Sequence, residues 1–263
     1  MVTITDARSG RRRPVGSARH GLIRICEHLA LPDGAPGIAD MRVIVVGDVL
    51  LRAVERGGRQ AALVWSVPEG APAAAPAGFH RLVAALGAHP PSDIVPEPGV
   101  EAALGGAPDV RVGPAPRPDG APDAWLRTGP VTAPALAPPE EEGKDLLALR
   151  LALLALPHAD PASLPPDSLA AADRQLRRWR ALTARWADSP SRPVPAGLRR
   201  QADACVADGL DTPAVLDLMG AVARGDELPD GAKFEAFALL DGVLGLELAR
   251  DVGRGVPTGD PAD

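Results

Sequence analysis

Proline distribution is the strongest constraint on this fold. Of the 30 prolines in the 263-residue chain, 16 fall between residues 68 and 139, in runs such as PEGAPAAAPAG and GPAPRPDGAP. Each proline removes a backbone donor and restricts the residue before it, so long helices and central strands are disfavoured there. The chain divides accordingly. An α/β portion is expected over residues 1–92. A Pro/Gly-rich connecting segment with one or two short strands follows over 93–142, then a helical portion over 143–253 and a disordered tail over 254–263. With 46% apolar residues, the chain can bury a sizeable core.

Composition removes several function classes. The net charge of −6 argues against a globally basic nucleic-acid binder. Two cysteines, Cys26 and Cys205, cannot build a disulfide framework or a four-thiolate zinc site. No run of apolar residues is long enough to span a membrane, so no membrane partner is expected. The opening MVTITDARSGRRRPVG has no apolar stretch after its charges, so a secretory signal is not expected and the cytoplasm is the default location. Lys144 and Lys233 are the only lysines against 26 arginines, a bias typical of GC-rich coding.

Periodicity supplies the elements. Leu22–Cys26 alternates as a short strand, Met41 to Arg56 has helical spacing ended by Gly57 and Gly58, and Ala61–Val67 reads as a buried strand. Strand, helix, strand in that order predicts a parallel α/β unit, followed by a helix over Phe79–Gly87. Five helices are predicted further on: Lys144–Leu156, Ser168–Asp188, Leu198–Ala207, Thr212–Arg224 and Ala232–Leu248. Short loops between them predict an antiparallel bundle. Thr212 is read as the cap of the fourth, with Pro213 at its first helical position. On the second, Leu169, Leu176, Trp179, Thr183 and Trp186 share a face, and the two tryptophans are read as core. Arg174, Arg177, Arg178 and Arg185 line the other face, a candidate surface for RNA or a partner. The run Glu140–Glu142 reads as a helix start, and His80, His89 and His158 as surface or turn residues.

Several pieces, in order along the chain, resemble the cysteine-activating ligases, that is, cysteinyl-tRNA synthetase and the cysteine ligase of mycothiol biosynthesis. TITDARSGRRRPVG resembles their opening hairpin, and GLIRICEHLALPDG the strand carrying their first zinc-ligand cysteine. GDVLLRAVERGGRQAALVWSV resembles the helix and strand after their HIGH motif, and FHRLVAALGAHPPSDIVPEP a later helix and Pro-acid turn. LALRLALLALPHADP, LRRWRALTARWA, DGLDTPAVLDLMGAVARG and LLDGVLGLEL resemble their helical domain, leaning towards the mycothiol ligase. The resemblance implies a partial parallel Rossmann-like nucleotide-binding sheet followed by an antiparallel helical bundle, an α/β plus all-α chain.

Departures from the pattern carry the functional expectation. Where the family has HIGH, whose imidazoles stabilise the adenylation transition state, this chain reads GAPGIADMR, keeping Gly37 but neither histidine. Where the family has KMSKS, the chain reads TAPALAPPEEEGKD, with Lys144 beside three glutamates. Of the family's zinc ligands only Cys26 has a counterpart, and the second half of the sheet is expected to be missing. The resemblance therefore implies a non-catalytic paralogue acting in binding, regulation or assembly, with no cofactor, no metal and no catalytic residues. A protein partner or a second copy of the chain is expected, with tRNA as an alternative. Cys26, His28, Asp33, Gly37 and Asp40 are expected to line a vestigial cleft at the carboxyl ends of the strands. Cys26 and His28, two residues apart, suggest a nucleophile and base for an active-enzyme alternative. The plainer expectation is a buried thiol and an exposed loop histidine.

Overall fold

The structure, a computed structural model, describes residues 1–16, 21–71, 76–115, 123–133 and 146–254. The chain opens with an antiparallel pair, β1 (Thr3–Thr5) and β2 (Arg12–Pro14). It continues through β3 (Leu22–His28), α1 (Ile38–Arg56), β4 (Gln60–Val67), α2 (Pro76–Ala85), β5 (Asp93–Pro96), α3 (Val100–Leu104), β6 (Val110–Gly113) and β7 (Ala124–Arg127). The five strands from β3 onward form one parallel sheet in the order β5-β4-β3-β6-β7. The chain steps outward from β3 to β5, then returns across β3 to build β6 and β7. This is a doubly wound order, with its switch point between β3 and β6.

This corrects the expectation that the second half of the sheet is missing. Segment 93–142, expected to hold one or two short strands, carries β5, β6, β7 and the two-residue β8 (Val131–Thr132), and the first three lie in the sheet. Proline permits this by position. Pro96 ends β5, an edge strand, while β6 and β7 contain no proline.

The two faces of the sheet are covered differently. α1 packs on β3, β4 and β6 and is also contacted by helices of the C-terminal part. That double burial explains its run MRVIVVGDVLL, apolar nearly all round, in which every residue from Asp40 to Leu51 is buried. On the opposite face, Val100 and Leu104 of α3 pack on Cys26 and Val64.

The C-terminal part comprises α4 (Leu147–Leu154), the strand β9 (Ala162–Ser163, paired parallel with β8), α5 (Pro166–Trp186), α6 (Ala196–Ala207), α7 (Thr212–Arg224) and α8 (Asp230–Leu244). α5 packs on α4 and α8, and α7 on α6 and α8. Trp179 and Trp186 are core residues, standing edge-on to Phe237 with ring centres at 6.0 and 5.0 Å. The cap of α7 is Asp211, not Thr212. Its Oδ1 accepts from the Ala214 amide at 3.1 Å, while Thr212 Oγ1 donates to Leu154 O at 2.7 Å. Among the described residues no helix is long and apolar enough to cross a membrane. Glu140–Glu142, Lys144 and the tail from residue 255 lie outside the described residues.

Candidate functional site

Ligands of doubly wound sheets bind outside the carboxyl ends of the strands, at the switch point. Here that crevice lies beyond β3 and β6. Cys26 is in register with Arg111, Arg111 with Trp125, and His28 with Ser66, so these side chains share one face. β3 extends two residues past its predicted end, which brings His28 onto the face of Cys26. His28 is therefore not an exposed loop residue. It is buried and stacked on Trp125, with ring centres 4.8 Å apart and planes at 25°.

A charged network surrounds this stack. Arg111 donates from Nε to Asp123 and from Nη1 to Glu97 Oε1, and its Nη1 lies 3.1 Å from His28 Nε2. A guanidinium has no lone pair to offer, so His28 Nε2 is the acceptor and the ring proton sits on Nδ1, 3.6 Å from Glu97 Oε2. Ser66 Oγ donates to Glu97 Oε2 at 2.8 Å. Asp123 also pairs with Arg8, whose guanidinium lies 5.5 Å from the centre of the Trp125 ring. Trp125 Nε1 donates to Gly113 O at 3.2 Å. A Cβ on Gly113 would lie 3.1 Å from His28 Cβ and 3.2 Å from Trp125 Cζ2, so glycine lets the two rings close over the strand end.

Cys26 is fully buried, and its Sγ lies 3.6 Å from His28 Nε2. Burial pushes its pKa up to about 12, against the pull of Arg111. A thiol held neutral, beside an imidazole whose lone pair is already engaged, is not an activated nucleophile. Burial works against the charge of Arg111, but the hydrogen bond to Asp123 and the charge of Glu97 outweigh it and raise its pKa above the ordinary value.

The other predicted cleft residues sit at the start of α1. Gly37 is its N-cap, and Asp40 is buried in its first turn. The Asp40 carboxylate accepts three backbone amides: Ala30 at 2.7 Å, Leu31 at 3.2 Å and Gly37 at 2.9 Å. It thus ties the loop at Ala30 and Leu31 to the N-cap of α1 and places a negative charge at the positive end of the helix. Asp33 lies on the short turn Pro32–Gly34, and its side chain is outside the described residues.

The zinc implied by the resemblance can be tested against these residues. Among the described residues, Cys26, His28 and Glu97 are the one group able to gather on an ion, with ligand atoms within 4.8 Å of one another. As they stand they do not fit a metal, because Arg111 takes up both the imidazole lone pair and a Glu97 oxygen. Cys205 lies on α6, outside that group.

Comparison with known proteins matches this chain only in part. No family model matches it. Over 113 residues it is 36% identical to the L-cysteine:1D-myo-inositol 2-amino-2-deoxy-alpha-D-glucopyranoside ligase of Geodermatophilus obscurus, covering 41% of this chain and 26% of that protein. The ligase of the same name from Thermobispora bispora is 36% identical over 104 residues, 40% of this chain and 25% of that protein. That of Nakamurella multipartita is 37% identical over 110 residues, 41% of this chain and 24% of that protein. The chain is a relative of these cysteine ligases. Its similarity spans about a quarter of the length of the curated relatives it matches.

Within this cysteine-ligase relative, the structure brings Cys26 and His28 together, and places Gly37 and Asp40 at the start of α1, where Asp40 binds the loop two residues beyond His28. Glu97, Arg111, Gly113, Asp123 and Trp125 were missed by sequence reasoning. Arg111 left a signal, a charge between Val110 and Val112 in a short β-branched run. Arg174, Arg177, Arg178 and Arg185 are all exposed on α5, and Arg177 pairs with Asp173.

Proposed function

We propose that this chain is a non-catalytic relative of the cysteine ligases, acting in binding, regulation or assembly rather than in adenylate formation. The observation that carries this reading is the Asp40 carboxylate on the amides of Ala30, Leu31 and Gly37. That side-chain anion already sits on the Gly37 amide at the start of α1, and a second negative charge beside it would meet repulsion. The His28–Trp125 stack and the Arg111 network fill the crevice beside it. In this reading α4 to α8 form an antiparallel bundle docked on α1, the protein is cytoplasmic, and its partner is another protein or a second copy of the chain. ATP–pyrophosphate exchange with L-cysteine tests the proposal. No exchange above the blank is expected, and exchange that depends on cysteine contradicts it.

A second reading, an RNA-binding role, draws on α5. Arg174, Arg178 and Arg185 are exposed on one side of the helix and make no ion pair with the described residues. At about 1.5 Å per residue they span roughly 16 Å, the scale of a few phosphates. Filter binding of total tRNA at low and moderate salt decides it. Salt-sensitive retention lost in an R174E/R178E/R185E variant supports it, and no retention at low salt removes it.

A further inference from the structure

The Cys26–His28–Glu97 group has the ligand types and spacing of a transition-metal site, yet holds a guanidinium in its middle. In a tetrahedral site with a thiolate at about 2.3 Å and an imidazole at about 2.0 Å, sulfur and nitrogen lie about 3.5 Å apart. Cys26 Sγ and His28 Nε2 are 3.6 Å apart. Glu97 completes the set with its ligand atom within 4.8 Å of the others, so its carboxylate needs to close by about 1 Å. What stands in the way is Arg111. Its Nη1 lies on His28 Nε2 and on Glu97 Oε1, two atoms an ion would need. Asp123 holds the guanidinium there through Nε, and its own carboxylate adds to the negative charge that the arginine balances.

We infer that Arg111 is the built-in cation of this cluster: the native chain rejects a divalent ion, and removing the guanidinium creates a site for a borderline-soft metal such as Zn²⁺ or Co²⁺. The inference rests on the packing of four side chains and not on the non-catalytic reading; the exchange assay can fail without affecting it. Equilibrium dialysis and absorption spectroscopy of the full chain with Co²⁺ test it. The native protein is expected to emerge without bound cobalt and without a sulfur-to-cobalt charge-transfer band. R111M keeps an unbranched stem and removes the guanidinium with its charge. It is expected to take up one equivalent and show the band, and C26S/R111M is expected to lose the band. If R111M is unfolded without metal, Zn²⁺ is expected to restore its far-ultraviolet circular dichroism, because binding and folding are then one equilibrium. A cobalt–thiolate band in the native protein overturns the proposal. So does an R111M variant that, folded or not, takes up no metal.

Discussion

Glu27 shows how one residue can reveal what a fold tolerates. It lies on β3 facing α1, fully buried, and Trp65 Nε1 donates to its Oε2 at 2.6 Å. Among the described residues Oε1 has no partner. A Cβ on Gly47 would come within 1.8 Å of that oxygen, so glycine in the middle of α1 makes the space. Burial raises the Glu27 pKa well above the ordinary 4.5, and the nearby Asp48 charge adds to the rise while the Trp65 bond opposes it. The sign of the linkage follows. The folded state holds a proton that the unfolded state releases above pH 4.5, so this stabilisation is complete below that value and is lost as pH rises through the folded pKa. Glu27→Gln keeps the shape and removes the titration. Its thermal midpoint is expected to exceed that of the native protein increasingly as pH rises from 5 to 9. Parallel midpoint curves for the two proteins contradict this. Nothing in LIRICEH betrays a fully buried glutamate, since the alternation that predicts the strand does not say which face is drier.

At the scale of elements, α1 is the hinge of the account, because it serves the sheet and the C-terminal helices at once. Asp48 on α1 is buried against Arg150 of α4, also accepts from Arg52 Nε at 2.7 Å, and takes the amide and Nδ1 of His89. Burial alone would raise the Asp48 pKa, but the charge of Arg150 and the bonds from His89 and Arg52 bring it well below the usual carboxylate range. Arg150 further donates to Leu244 O and to Leu86 O at 3.1 Å, joining α8 and the end of α2 to the same point. Removing one partner of a buried pair leaves the other uncompensated. R150M is therefore expected to cost about 3–5 kcal/mol in urea unfolding, and a loss below about 1 kcal/mol contradicts the role. Sequence patterning locates α4 as an apolar helix but does not say what its one arginine pairs with. Helical spacing identifies a face, while the partner of a buried charge comes from a segment about 100 residues away.

The whole molecule follows from where its prolines fall and from what its crevice already contains. Strand–helix–strand order was readable from Leu22 to Val67, because those residues alternate or repeat with a clear period. One or two short strands were expected after residue 92, but the place of β6 and β7 in the sheet was not readable. Val110–Gly113 and Ala124–Arg127 are four residues each, buried nearly throughout, and set in proline-rich surroundings that argue for a linker. Cys26 and His28 were found through spacing, but their partners Glu97, Arg111 and Asp123 come from three other segments that only the sheet brings together. The similarity to cysteine ligases covers about two fifths of this chain, and the claim of lost chemistry rests on this chain's own contacts. The most direct measurement of that claim is isothermal titration of the full chain with Mg-ATP. If Asp40 and the His28–Trp125 stack fill the crevice, no binding is expected at millimolar nucleotide. Saturable binding with a Kd below about 1 mM, some 4 kcal/mol of affinity, contradicts the account.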